Sequence, residues 1–165
     1  MKSTLYVMMG IPGSGKTTIA KNTAKNNDAL HVSRDEIRFS LLTDKDNYFA
    51  KENQVYREFV KRIREGLAAG HTVIADATHL NQKSRYKLFH NIHINPADTM
   101  VIGIYMNIPL ETCLERNETR KGGRTYVPPH EIYNMFAHLQ PPSYEEPFDY
   151  IFIFNGEEMK LMERK

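Results

Sequence analysis

The sequence predicts an α/β fold in which a mainly parallel sheet is covered by helices on both faces. Short apolar runs alternate with helix-period segments along the whole chain, the pattern of repeated βαβ units. The first apolar run, Leu5 to Met9, leads through Gly10-Ile11-Pro12-Gly13-Ser14-Gly15-Lys16-Thr17 into a helical segment, Thr18 to Lys25. Two later runs place Asp35 and Asp76 at or just beyond their carboxyl ends, where ligands bind in sheets of this kind.

Residues 10–17 satisfy G-x-x-x-x-G-K-[ST] between a strand and a helix, the P-loop pattern. The expected fold is therefore a P-loop NTPase three-layer sandwich. Asn26-Asn27-Asp28 makes a turn and Ala29 to Val32 a short strand. Ser33 precedes Glu36 with capping-box spacing, so Asp35 and Arg38 share one side of a helix's first turn. A polar loop covers 44–48. Val55, Phe59, Ile63 and Leu67 recur at every fourth position, which predicts an amphipathic helix ended by Gly66 or Gly70. Tyr48, Phe49, Tyr56 and Phe59 fit that period as core residues. His71 to Ala75 is the next strand, Asn81 caps a helix to about Ile92, and Met100 to Met106 is a continuous apolar strand. Pro109 suits the first turn of a helix, Pro128 starts another to about Leu139, and Tyr150 to Phe154 is the last core strand. No repeat, linker or low-complexity tract interrupts the chain, so one domain, 1–165, is expected.

At 165 residues with 41% apolar and 25% charged residues, the chain has a globular composition large enough to bury a core. A net charge of +2 argues against a broad basic face, so nucleic-acid contacts should be local. Cys113 is the only cysteine, which excludes an internal disulfide and a cysteine-based zinc cluster; its helical setting suits a buried structural thiol. No leader pattern opens the sequence and no apolar run approaches the roughly 20 residues of a membrane span. The expectation is a cytoplasmic, reducing setting with no membrane contact.

The loop's glycines admit backbone dihedrals that a Cβ obstructs, so that N–H groups converge on phosphate oxygens at a helix N-terminus. Gly10, Pro12, Gly13, Ser14, Gly15, Lys16, Thr17 and Thr18 are the expected nucleotide-binding residues. Lys16 suits the β- and γ-phosphates, and Thr17 suits Mg²⁺ with Asp76 beside it. No N-K-x-D or T-K-x-D stretch is present, and Ala77-Thr78 rather than a glutamate follows Asp76. These features point away from a GTPase or motor ATPase and toward a compact kinase. Asp35 then suits the general base on an acceptor hydroxyl, with Arg38 as a fork for an anionic group. The same spacing also describes an exposed ion pair. Arg116, Arg120, Lys121 and Arg124 surround Gly122-Gly123, as either a solvated charged face or a lid over about 116–127. In the lid reading Arg120 stabilises transferring charge and Arg116 supports the nucleotide. The histidines have no ligand spacing, and Tyr126 and Tyr133 are the aromatics placed for base stacking.

Assembled, these residues resemble the kinase domain of the phage-type 5′-hydroxyl polynucleotide kinases. The resemblance runs through S-R-D-E-I-R at 33–38, D-A-T-H-L-N at 76–81, E-R-N-E-T-R at 115–120, V-P at 127–128 and E-E-P-F-D at 145–149. It implies ATP and Mg²⁺ as cofactors and a nucleic-acid 5′-hydroxyl end as substrate. It also implies Asp35 as base, Arg38 on the acceptor's 3′-phosphate, Thr78 at the acceptor, and Lys16 with Arg120 on the transferring phosphate. A kinase for a small-molecule hydroxyl and a nucleotide-binding module without transfer activity are the competing expectations.

Overall fold

A computed structural model of the chain describes residues 3–165; Met1 and Lys2 of the expected domain 1–165 lie outside them. Five parallel strands form the body of the sheet: β1 (Ser3–Met9), β2 (Leu30–Ser33), β3 (Val73–Asp76), β4 (Thr99–Met106) and β5 (Tyr150–Phe154). A short antiparallel strand, β6 (Met159–Leu161), closes one edge, and the order is β2-β3-β1-β4-β5-β6. β1 and β3 are neighbours, so their carboxyl ends open side by side.

Alternation along the strands divides the apolar side chains between two layers. Leu5, Val7, Val73, Ala75 and Val101 meet α2 (Arg34–Leu41), α3 (Glu52–Ala68) and α4 (Gln82–Asn91) on one face. Met8, Ile74, Ile104 and Met106 meet α1 (Lys16–Asn27), α5 (Leu110–Glu118) and α6 (Pro129–His138) on the other. The fourfold period of α3 is confirmed: Val55, Phe59 and Ile63 are fully buried, each contributing about 1.5–3 kcal/mol of apolar transfer. The helix runs through Gly66, where a Cβ would meet Val73 Cγ2 at 2.8 Å. That glycine marks close helix–sheet packing, and Gly70, at φ +83°, follows the helix end.

Other boundaries shift by one to three residues from expectation, and Asn81 caps α4 through a reciprocal bond with Ser84. β6 was not anticipated. All three of its residues are exposed, so no buried face leaves a pattern to read. Arg85 and Glu146 form a completely buried pair, with Nε donating to Oε1 at 2.5 Å and Nη2 to Oε2 at 3.2 Å. Arg85 Nη1 also donates to the carbonyls of His79 and Gln140. Glu146 of the E-E-P-F-D stretch therefore ties the carboxyl-terminal loop to α4.

Candidate active site

The chain leaves β1 into a loop whose Gly13 and Gly15 stand at φ +85° and +87°. A Cβ on Gly13 would lie 2.4 Å from the Cys113 carbonyl oxygen, so α5 can press directly on the loop. Cys113 is fully buried, and burial pushes its thiol pKa up, as a structural cysteine requires. Arg116 Nη1 donates to the Gly13 carbonyl at 3.1 Å, bracing the loop from outside. No side chain caps the N-terminus of α1, which leaves its first N–H groups free for an anion.

Lys16 and Thr17, in the first turn of α1, face the carboxyl end of β3. Asp76 Oδ2 accepts the Thr17 hydroxyl at 3.1 Å and lies 2.8 Å from His31 Nε2. Burial alone would raise the Asp76 pKa, but the His31 bond, the Lys16 charge and the Thr17 hydroxyl outweigh it and hold it below the usual value. His31 reaches Asp76 because β2 and β3 pair His31 with Ile74 and Ser33 with Asp76. Asp76 is thus its diagonal neighbour on one face.

Across the cleft, Ser33 caps α2 by accepting from Glu36 N at 3.2 Å. This turns Asp35 and Arg38 toward the P-loop. Pro12, Lys16, Thr17, Asp35, Arg38, Asp76 and Thr78 all line one small cleft. The Asp35 side chain is 47% exposed and Arg38 only 5%. Arg38 Nη1 donates to Asp35 and to the Tyr48 hydroxyl, while Nε and Nη2 donate to Glu52 Oε1 at 2.9 and 2.5 Å. Four of its five N–H groups are therefore committed within the protein. The Tyr48 hydroxyl donates to Asp35 Oδ1 at 2.6 Å, and its ring lies 4.2 Å from the Arg38 guanidinium carbon. Burial, then the Asp35 carboxylate, drives the Tyr48 pKa well above its ordinary value, so the phenol remains a donor.

Tyr48 and Phe49 stand in the loop between α2 and α3 and not in the expected helical period, edge to face at 4.7 Å; both line the cleft, while Tyr48 also packs against the core layer of α1, α5 and α6. Arg34 and Glu52 were also missed. Arg34 Nη2 donates to Glu52 Oε2 at 2.8 Å, so one glutamate holds both arginines. Only the fold brings these groups together.

The 116–127 segment, expected as a lid or a charged face, differs from a freely hinged one. Asn117 and Val127 bond reciprocally at 2.7 and 3.0 Å, closing its base. Arg124 Nη2 donates to the Phe39 carbonyl at 2.7 Å and the guanidinium lies 4.9 Å from the Phe39 ring centroid, so this segment reaches α2. Arg120 is half-buried and has no side-chain hydrogen bond among the described residues; with Thr18, it lies outside the cleft lining. Tyr126 is half-buried and Tyr133 is 55% exposed, and neither lines the cleft. No helix among the described residues is long and apolar enough to cross a membrane.

Residues 5–142 match a family described as an AAA domain. The chain is 29% identical over 134 residues to a protein of Autographa californica nuclear polyhedrosis virus named as a bifunctional polynucleotide kinase/RNA ligase. That match spans 70% of this chain but 18% of the relative. Among solved structures, the Pnkp1/Rnl/Hen1 RNA repair complex superposes with a TM-score of 0.71 at 22% identity, covering 84% of this chain and 44% of that one. A sugar kinase from Janibacter sp. superposes at 0.67 with 21% identity, covering 94% and 86% respectively. The sheet, the glycine loop and the match across residues 5–142 agree: the chain belongs to the AAA-domain family, and its fold is that of the P-loop kinases.

Proposed function

We propose that the protein transfers the γ-phosphoryl group of ATP to the 5′-hydroxyl of a polynucleotide. One observation carries the transfer reading: the half-exposed Asp35 carboxylate shares a cleft with Lys16 and Thr17 of the P-loop. The polynucleotide acceptor is supported by the viral relative's name and by the sequence resemblance at residues 33–38 and 115–120.

The site fits a nucleotide with magnesium. The uncapped α1 terminus suits phosphate, and Ser14 Oγ is buried in the loop without a partner. Thr17 and Asp76 supply the hydroxyl and carboxylate oxygens that a hard cation takes. Mg²⁺ bound there would take its other ligands from phosphate and water. When bound, ATP with Mg²⁺ supplies the transferable phosphoryl group.

The protein's own part is positioning and charge. Asp35, held by Tyr48 and Arg38, accepts the hydroxyl proton as that oxygen bonds to the γ-phosphorus and the bond to the ADP oxygen breaks. Lys16 neutralises the transferring oxygens, and Arg120 joins it when the lid adjusts around nucleotide. Arg116 supports the nucleotide by bracing the loop, and Thr78 contacts the acceptor. Arg38 retains one N–H for an acceptor 3′-phosphate while orienting Asp35.

The test is γ-labelled ATP with 5′-hydroxyl RNA and DNA oligonucleotides, using Asp35→Asn as comparison. Label on the oligonucleotide, lost in the variant with ATP affinity retained, is the expected result; full activity in the variant removes Asp35 as the base. A small-molecule acceptor is the second reading. It is favoured by near-complete superposition on the sugar kinase, and label appearing only on a metabolite would establish it.

A further inference from the structure

Toward the carboxyl end of α3, beside the amino ends of β1 and β4 and so at the other end of the sheet from the cleft, lies a large open groove between that helix and the segment joining α4 to β4. Arg57, Lys61 and Arg64 line one wall at successive turns, above an apolar floor of Val60, Leu67 and Ile94. Their spacing of four and three residues puts the cations in one row. Among the described residues, none of the three enters an ion pair. Glu65 and Asp98 are the acidic groups of the lining, so the wall retains an excess of positive charge.

Tyr56 joins this groove to the cleft. It lines the groove, while Arg34, which lines the cleft, has its guanidinium carbon 5.2 Å from the Tyr56 ring centroid. Lys87 Nζ lies 4.6 Å from the same centroid, and Asn91 Nδ2 donates to the Tyr56 hydroxyl at 3.0 Å. Lys87, Arg57, Lys61 and Arg64 thus form a cationic path along α3 that meets the cleft at Arg34, whose own charge is paired with Glu52. Glu52 to Arg64 spans about 18 Å of helix at the usual rise.

We propose that this groove holds the phosphodiester backbone of the acceptor strand beyond its reacting end, with Arg57, Lys61 and Arg64 on successive phosphates. The proposal rests on the polynucleotide reading above. Regular spacing, unpaired cations and an apolar floor for sugar and base faces match a single strand. A neutral metabolite would use none of them.

The experiment compares the parent with an Arg57→Gln/Lys61→Gln/Arg64→Gln variant on 5′-hydroxyl RNA of increasing length, starting from a 3′-phosphorylated mononucleoside. KM is read across a salt series. Each single-strand phosphate contact contributes a slope of about 0.7 in log K against log salt, so removing three should flatten the dependence for long acceptors by about 2. KM for the long acceptors should rise at least tenfold, with kcat and KM for the mononucleotide unchanged. An Arg57→Lys/Arg64→Lys variant should retain the parent's slope. If parent and variant show the same length and salt dependence, the groove proposal falls and the polynucleotide reading stands. If the parent phosphorylates no oligonucleotide of any length, both fall.

Discussion

Tyr48→Phe isolates how the acceptor side of the cleft is organised. The substitution removes one oxygen, which donates to Asp35 at 2.6 Å and accepts from Arg38 at 2.9 Å, and it keeps the ring against the Arg38 guanidinium. A hydrogen bond to a charged group contributes about 1.5–3 kcal/mol. Because the Asp35 side chain is 47% exposed, water recovers part of that, leaving about 1–2 kcal/mol of lost orientation. At 1.36 kcal/mol per tenfold, kcat should fall about 5- to 30-fold. ATP affinity should change little, since the hydroxyl that is removed bonds to Asp35 and Arg38 and to no P-loop residue. A second readout separates positioning from support: Arg38 is 5% exposed and loses an acceptor, so the melting temperature should drop by a few degrees. The assay is steady-state transfer from γ-labelled ATP, with a fluorescent nucleotide for affinity. A kcat within twofold of the parent, alongside a lowered melting temperature, would refute the positioning role and leave Tyr48 as support for Arg38 alone.

Two further expectations concern the loop and acid stability. Gly13→Ala adds a Cβ 2.4 Å from a backbone oxygen at φ +85°, so thermal stability should drop and nucleotide affinity fall more than tenfold. Gly122→Ala has similar φ strain with nothing within 4 Å, and should cost only about 1–2 kcal/mol. Equal losses in the two melts would show that contact with α5 is unimportant. His79 is buried, its Nδ1 donates to the Met8 carbonyl at 2.6 Å, and burial lowers its pKa to about 4 from 6.5. The unfolded chain therefore binds a proton that the native one refuses. Stability is intact above pH 6.5 and declines as pH falls toward 4, by an amount on the order of 3 kcal/mol. Asp76, with its lowered pKa, contributes below that window as pH drops through its unfolded value. Urea melts from pH 7 to 4 check this, and an unchanged decline in His79→Gln would exclude His79 as the source.

The parts of the site that lie along the chain were readable from sequence. Residues 3–17 run through strand, loop and helix start without a break; Ser33 caps the helix that carries Asp35 and Arg38; Asp76 ends an apolar run. What was missed depends on packing between elements. Tyr48 and Phe49 fall near the period of α3, which predicts a place in its core, but the helix begins only at Glu52. The loop before it folds back under Arg38, and no spacing encodes that return. His31 meets Asp76 through parallel register across 45 residues, and Glu52 meets two arginines through the packing of α2 on α3. Gly66 looked like a helix stop because glycine breaks helices in water; against β3 its missing side chain instead permits contact.

The charge balance of the cleft bears on which acceptor the proposed reaction would use. Arg34 and Arg38 bring two positive charges, and Asp35 and Glu52 return two negative ones through direct pairs. Four bonded groups of zero net charge offer a polyanion little long-range attraction, while a neutral hydroxyl enters without penalty. In the proposed reaction the cleft therefore orients a hydroxyl but is a weak source of affinity for a long strand. If a polynucleotide is the acceptor, its binding energy must come from cations outside this quartet. Arg57, Lys61 and Arg64 enter no ion pair among the described residues, and Tyr56 with Arg34 connects them to the quartet. A small-molecule kinase with the same neutral quartet would need no such row. Acceptor length dependence thus distinguishes the two readings more sharply than any substitution within the cleft, because both share the quartet and only one needs the path leading away from it.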